Sequence, residues 1–577
     1  MNFINKLSII LNNSIKRYFF ILLILIIFSA FLEIIGLALI IPLIYMVINN
    51  PIDGVINLLS MLNFKNYFDY DLSNVEKIDE KLLSNIIVLS FIIIYLFKNS
   101  FLLFLNFLIA TFVANTNVFL SNQAVNFFIK SKYESIIKFR FSNFFSAILN
   151  EINIFTYGVV LSIINIISEL IVLFSIIFLL ILIEGIESII VFGFLFLSSL
   201  IFIFFIKNKI KNWGKKRQKF DQEKIDILNK STRLIRDIKF YNLEKLFLKI
   251  FTTKDRNLAN YQKNNAVAQS IPKLLLEIVI VITISIYIIF SKNFDKNNVE
   301  PLVKIALYAA FAIRLLPSFN KIMFNFQQFI YAKPSVNRLL KYKKNFNHYS
   351  KNSSNSPVKF KELTKFKKKI YLKNISFKFK NKLILKNLNL IIKKKNIIGI
   401  FGESGSGKTT LADILSGLIR NFNGKIIIDN EEVGPSDNIN KIIGYSQQNP
   451  VILQENLFSN IAFGETKKKI DIKKLNKIIK ICHLSELKNK KFSSIGSNIS
   501  GGQKQRISIA RALYFDPKLL ILDESTSGLD KNLETKIIDN IKRNFKDITL
   551  IIISHNTKTL SKCNLVYELK NKQLMVK

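Results

Sequence analysis

The sequence predicts two domains of different class: an all-α transmembrane domain of six long helices over residues 1–341, and a cytoplasmic α/β domain over residues 370–577, joined by a linker over 342–369. Three observations carry this. Long apolar stretches crowd the first three-fifths of the chain, the pattern changes to short β runs alternating with helices near Ile370, and a glycine-rich turn sits between one such run and a helix.

Composition sets the bounds. At 577 residues the chain exceeds one soluble core. Half of it is apolar and it carries 52 Phe, which suits membrane spans better than a large soluble interior. The net charge of +42 invites a nucleic-acid reading. That reading is set aside. No nucleic-acid motif accompanies the charge, the chain is rich in Lys, Ile and Asn together, and a solvated surface drawn to anionic lipid headgroups accounts for more. The two cysteines, Cys482 and Cys563, allow neither a disulfide framework nor a zinc site and fit a reducing cytosol. Lys6, Lys16 and Arg17 precede an apolar stretch too long for a signal-peptide core and without a small-residue cleavage site, so it reads as a retained span.

The apolar stretches lie at 18–48, 84–115, 156–183, 187–207, 271–291 and 302–331. Each reaches the roughly 20 residues a helix needs to cross a bilayer. Loop charge sets the orientation. Lys130, Lys132, Lys138 and Arg140 follow the second span; Lys207 to Lys219 follow the fourth; Asp53, Asp69, Asp71, Glu76, Asp79 and Glu80 crowd the loop after the first. By the excess of basic residues on the inner side, both termini and the basic loops are cytoplasmic, and an even number of spans satisfies this. The segments around Arg140–Phe145 and Ile235–Glu244 are candidates for short transverse helices that meet the α/β domain, against the plainer reading of solvated helix faces.

After the sixth span, Tyr342 to Lys369 is polar and without apolar periodicity. The turn Gly402-Glu403-Ser404-Gly405-Ser406-Gly407-Lys408-Thr409 then follows the apolar strand Ile397–Phe401 and precedes the helical stretch Thr410–Ile419. Glycines let the backbone wrap a phosphate, and the N–H groups of the turn and of Thr410 at the helix start supply partial positive charge. Lys408 would hold the β- and γ-phosphates, and Thr409 would place its hydroxyl on Mg²⁺. Downstream, Leu519–Leu522 is an apolar strand that ends in Asp523 and Glu524. Asp523 suits the Mg²⁺ shell and Glu524 the position that polarises attacking water. These signals identify an α/β P-loop NTPase domain that uses ATP and Mg²⁺.

At Ile499-Ser500-Gly501-Gly502-Gln503, followed by Lys504-Gln505-Arg506, the sequence resembles the ABC ATPases, whose signature motif this is. The resemblance implies that Ser500, Gly501, Gly502 and Gln503 cap the γ-phosphate of nucleotide held by the opposite subunit. It implies that Gln448 contacts Mg²⁺ and water and that Asp530 lies at the dimer seam. It further implies that His555 contacts the γ-phosphate and that Phe379 stacks on adenine. Six spans fused before such a domain resemble the exporter class. Phe379 replaces the commoner Tyr, and Ser493–Asn498 lacks the glutamate many exporters carry there. The completeness of the motifs implies two equal sites in a homodimer. His348 and His483 have no such context and receive no role.

Stretches in the first, fifth and sixth spans (Phe31–Pro42, Ile271–Glu277, Arg314–Ser318) resemble bacterial flippases of lipid-linked oligosaccharides. This implies an amphipathic, anionic lipid-linked substrate carried across the inner membrane. Independently, Glu33, Lys98, Glu169 and Arg314 fall well inside apolar spans, with Glu277 nearer an inner end; charges at such depth are costly unless paired or facing water, so they are candidates for the translocation path. Arg314 either meets an anionic headgroup or pairs with Glu33 or Glu169. Pro317 frees a carbonyl and kinks the sixth span. An exporter of peptides or small molecules, and a membrane protein gated by ATP without pumping, are the alternatives; intact Glu524 and His555 argue against the last.

Overall fold

The computed structural model describes residues 3–10, 12–40, 42–43, 80–131, 133–138, 144, 146–184, 187–290, 300–351, 366–379, 382–434, 437–490, 492, 499–524 and 530–577. The chain divides into two compact units: Met1–Ser131 with Lys138–Ser350, and Lys132–Ile137 with Lys351–Lys577.

The first unit is helical. A short helix α1 (Phe3–Ile10) precedes α2 (Asn13–Ala38), α3 (Glu80–Lys130) and the one-turn α4 (Tyr133–Lys138) of the other unit. A helical run from Ala147 then leads through two π turns, Ala147–Glu151 and Thr156–Val160, into α5 (Leu161–Glu184). It is followed by α6 (Glu187–Arg233), the short α7 (Ile235–Phe240), α8 (Glu244–Phe290) and α9 (Glu300–Lys351). All six predicted apolar stretches fall at least in part on these long helices; residues 41 and 44–48 of the first and 291 of the fifth lie outside the described residues. Among the described residues, Asn13–Ala38, Ser84–Lys130 and Ile148–Leu182 are long and apolar enough to cross a membrane.

The packing is that of a bilayer protein. Leu22, Ile26, Phe155 and Ile164 are buried between helices, as are Ile176, Leu180 and Leu315 further along, while Phe107 and Phe205 are 67% and 73% exposed. In lipid, outward Phe costs nothing, and association rests on close packing instead. At Gly214 a Cβ would come within 2.3 Å of the Tyr331 carbonyl oxygen, so only glycine lets α6 approach α9 so closely.

Residues 342–351, expected to begin the linker, continue α9 as a helix through Lys351. Their residues lack an apolar face, but each adds a backbone hydrogen bond to a helix already nucleated, so polarity does not end it. Residues 352–365 lie outside the described residues.

The second unit holds two sheets. The antiparallel one has order β2-β1-β4-β5, from β1 (Lys369–Phe379), β2 (Lys382–Lys393), β4 (Asn423–Ile428) and β5 (Glu431–Glu432). The other has order β10-β9-β3-β8-β7-β6, from β3 (Ile397–Phe401), β6 (Ile443–Ser446), β7 (Leu519–Asp523), β8 (Thr549–Ile553), β9 (Leu565–Lys570) and β10 (Gln573–Val576). It is parallel from β9 to β6. Every residue of β7 and β8 is buried, as expected for a parallel sheet covered on both faces. The helices α10 (Lys408–Leu415), α11 (Leu457–Ile461), α12 (Ile472–Ile481), α13 (Gly501–Tyr514), α14 (Lys531–Asn544) and α15 (Thr557–Leu560) complete it. Because β7 and β3 both pair with β8, the carboxyl ends of all three strands meet at one edge.

Candidate nucleotide site

The phosphate loop leaves β3 and closes into α10. Gly407 caps α10 with φ 110°, and Gly402 lies so close to the Leu569 carbonyl that a Cβ would sit 2.5 Å from it. Neither backbone suits a larger residue. Lys408, buried, donates to the carbonyls of Gly402 (2.8 Å) and Glu403 (3.1 Å), so its ammonium is held inside the loop. Gly405 also has positive φ (80°), and the buried Ser406 hydroxyl has no partner among the described residues. Ser404 lies in the turn of the loop, and Thr409 and Thr410 open α10.

Three of the predicted residues converge on a fourth, Glu524. Gln448 donates to its carboxylate at 2.6 Å, the Lys408 ammonium lies 3.7 Å away and the His555 Nε2 3.4 Å away. Glu524 itself follows β7 with φ 45°, a left-handed backbone that a carboxylate residue seldom adopts and that turns its side chain into this cluster.

Asp523 is 1% exposed. One oxygen accepts from the Tyr445 hydroxyl at 3.2 Å, while Oδ1 has no partner among the described residues. Burial pushes this carboxyl above its usual range, opposed by hydrogen bonds from Thr409 and Tyr445. A buried carboxylate oxygen without a donor, beside the Thr409 hydroxyl, fits a hard divalent cation, which takes oxygen ligands. Thr409, Asp523 and Gln448 would hold Mg²⁺.

The other predicted residues are placed separately. Ser500 caps α13: the Gln503 N–H donates to its hydroxyl (3.2 Å) and its own N–H donates to the Gln503 side chain (3.0 Å). Among the described residues no hydrogen bond joins Ser500–Gln503 to the phosphate loop. Gly501 and Gly502 form the first turn of α13. Asp530 caps α14, Ser527–Leu529 lie outside the described residues, and Phe379 ends β1. Ser493–Asn498 also lie outside them.

Sequence reading missed several residues here. Tyr445 on β6 bridges Asp523 and Asp413 of α10, and Glu534 takes a hydrogen bond from Asn556 (2.7 Å), which holds the turn after His555. Burial, with the Asp523 charge adding to it and the Tyr445 hydrogen bond opposing it, pushes Asp413 up to about 6. The legible signal was position alone: Tyr445 lies three residues before Gln448. The second unit also takes in Glu134, whose carboxylate accepts from the N–H groups of Arg420 (2.6 Å) and Asn421 (2.9 Å). Of the expected transverse segment Arg140–Phe145, residues 140–143 and 145 lie outside the described residues. The other candidate, Ile235–Glu244, contains α7, with Phe240 78% exposed in the first unit.

In the first unit, Glu33 is paired with both Arg314 and Lys98, the latter at 3.6 Å, and Glu169 pairs with Lys321 at 2.8 Å. Of the two readings of Arg314, the ion pair with Glu33 is the one the structure holds. Glu33, Glu169 and Arg314 line a cavity of about 800 Å³, which Lys98 does not. Glu277 pairs with Lys273, at 3.9 Å.

A P-loop sheet with a signature turn defines an ATP-binding domain of ABC type. Residues 385–527 match the ABC transporter family model, so the chain carries that domain. An export ATP-binding/permease protein of Rickettsia typhi is 39% identical over 179 residues, 29% of this chain and 31% of that protein. A multidrug resistance-like ATP-binding protein of Buchnera aphidicola is 36% identical over 36% of this chain and 37% of its own length. An ATP-dependent lipid A-core flippase of Ralstonia nicotianae is 28% identical over 31% and 32%. The chain thus spans about a third of the length of these relatives. A solved bacterial Atm1-family ABC exporter with ATP bound superposes with a TM-score of 0.76 at 15% identity, covering 97% of this chain and 95% of that one. The fold is that of an ABC exporter, membrane helices and ATP-binding domain fused in one chain.

Proposed function

We propose that this chain is one subunit of an ATP-hydrolysing exporter, a homodimer in the bacterial inner membrane with its ATP-binding domains in the cytoplasm. The observation that carries this is the convergence of Lys408, Gln448 and His555 on Glu524 beside an unpartnered Asp523 oxygen. Glu524 is placed to accept a proton from water and Gln448 to orient that water. Lys408 and the loop N–H groups hold phosphate, and His555 contacts the γ-phosphate. Mg²⁺, when bound with ATP, neutralises phosphate charge. Ser500–Gln503 of each subunit close over the nucleotide of the other, and closure switches the membrane helices.

The substrate we favour is amphipathic, a lipid-linked oligosaccharide or other glycolipid, with Glu33, Glu169 and Arg314 beside its path and Lys98 behind them. A second reading, a peptide or small-molecule exporter, is favoured by the pairing of Arg314 with Glu33, which leaves that guanidinium less available to an anionic headgroup.

The test is ATP hydrolysis by the chain in proteoliposomes, screened with lipid-linked sugars, peptides and cationic drugs. Severalfold stimulation by a lipid-linked sugar supports the first reading. Stimulation only by the other two classes supports the second, and wild-type protein without hydrolysis rejects both. Arg314→Ala should keep basal hydrolysis and lose flipping of an anionic lipid-linked substrate; unaltered flipping leaves Arg314 as a helix lock.

A further inference from the structure

We infer that Tyr445 and Asp413, which belong to none of the nucleotide-binding motifs, form a positioning bridge that holds one oxygen of Asp523 and leaves the other free for the metal it would help to hold. The inference rests on the ATP-binding reading above and names residues that act on its metal-shell carboxylate.

The geometry is a hydroxyl between two carboxylates. Tyr445 Oη lies 3.2 Å from Asp523 Oδ2 and 3.3 Å from Asp413 Oδ1. The three come from different elements: Tyr445 from β6, Asp523 from the end of β7, Asp413 from the middle of α10, the helix the phosphate loop opens. A carboxylate on a buried strand end has two equivalent oxygens and one free torsion, so the oxygen that faces the phosphates depends on what binds the other. Here a hydroxyl binds Oδ2, and Oδ1 is left buried and without a donor.

Asp413 fixes the hydroxyl in turn. A phenol has one proton and two lone pairs, so with its proton donated to Asp523 Oδ2 it accepts from Asp413 in that residue's protonated form, a fixed strut between β6, β7 and α10. Without Asp413, the ring would hold the hydroxyl's height but not its direction. Tyr445 packs at the edge of the core beneath the sheet, which limits ring motion. The segment Lys132–Ile137 reaches the same place: the Asp413 charge acts on Tyr133, and Glu134 binds the N–H groups of Arg420 and Asn421 just past the end of α10.

Mn²⁺ in place of Mg²⁺, followed by electron paramagnetic resonance in the full-length protein with ATP, tests this without needing hydrolysis or transport. Tyr445→Phe keeps the ring and removes the strut. It should weaken nucleotide-dependent Mn²⁺ binding about tenfold, the scale of one hydrogen bond to a charged group, and leave ATP affinity in EDTA unchanged. Asp413→Ala should lose a comparable amount and Asp413→Asn, which can still bond the phenol, less. The Asp413→Ala/Tyr445→Phe double variant should be no worse than the larger single effect. Mn²⁺ binding unaltered in Tyr445→Phe overturns the inference, as does full additivity of the two losses. Equal loss of ATP affinity with and without metal also overturns it, since that marks a general packing defect. If Tyr445→Phe does not fold, the Asp413 pair of variants decides alone. Wild-type protein that binds Mn²⁺ and ATP but does not hydrolyse would reject the exporter reading and leave the bridge to be judged by the same titrations.

Discussion

The two charged sites of this chain differ in how far their charges are matched. At the nucleotide site polar groups are left over: Asp523 Oδ1 and the Ser406 hydroxyl have no partners among the described residues, while Lys408 is held by two carbonyls with the Glu524 carboxylate 3.7 Å away. In the first unit, Glu33 meets two cations, and Glu169 meets Lys321 through one oxygen while its buried Oε2 has no partner among the described residues. Unmet polar groups at a strand edge are a site waiting for a charged ligand. Charges already matched inside apolar helices mainly satisfy one another, because nothing else there can. The difference cautions against reading every buried charge as a ligand contact: burial states a cost, and only the partner shows how it is met.

The largest test of the contrast is Glu524→Gln. It keeps the hydrogen-bonding shape of the cluster and removes the base, so ATP should still bind while turnover falls roughly 10²–10⁴-fold and closed dimers accumulate. Turnover assays with size-exclusion chromatography in ATP check both parts. Turnover at the wild-type rate would make Glu524 a structural residue and erase the contrast.

Next comes Glu33→Gln, which strands Arg314 and Lys98 without their shared carboxylate. Breaking a buried pair costs about 3–5 kcal/mol, so thermal melting in detergent should drop by several degrees while ATP affinity is unchanged. A variant that melts like wild type would show that the cations find other partners or water.

Much of the nucleotide site was legible because its chemistry is local in sequence. The turn from Gly402 to Thr409, the strand ending at Asp523 and the signature at Ser500 each need their residues adjacent, and β3 and β7 lie over the residues read as strands, Ile397–Phe401 and Leu519–Leu522. Hydropathy likewise located the long helices, since a lipid-facing helix must be apolar along its length. What stayed hidden was long-range pairing. Arg314 and Glu33 are 281 positions apart, Glu134 and Arg420 are 286 apart, and no periodicity links such residues. Tyr445 carries no chemical signal in sequence because its phenol looks like any aromatic in a half-buried strand; its bridging role needs α10 and β7 in place around it. The end of the sixth helix was misplaced for a related reason: backbone bonding carries α9 through a polar stretch that side-chain pattern assigns to a linker.

The smallest expected effect separates the two pairs within the first unit. Glu33 is 2% exposed at its side chain and faces two cations, whereas the Lys321 side chain that meets Glu169 is 58% exposed. A solvated ammonium gains little from its partner, because water already satisfies it and ions screen the attraction. Lys321→Gln should therefore lower stability by no more than about 1 kcal/mol, and a double-mutant cycle with Glu169→Gln should give a coupling of the same small size. Melting curves at low and high salt would sharpen this. Glu33→Gln should change little with salt, since its partners are largely shielded, while the Lys321 effect should shrink toward zero. A large, salt-insensitive coupling between Lys321 and Glu169 would mean that this pair too is cut off from water, and that the cavity beside it is dry.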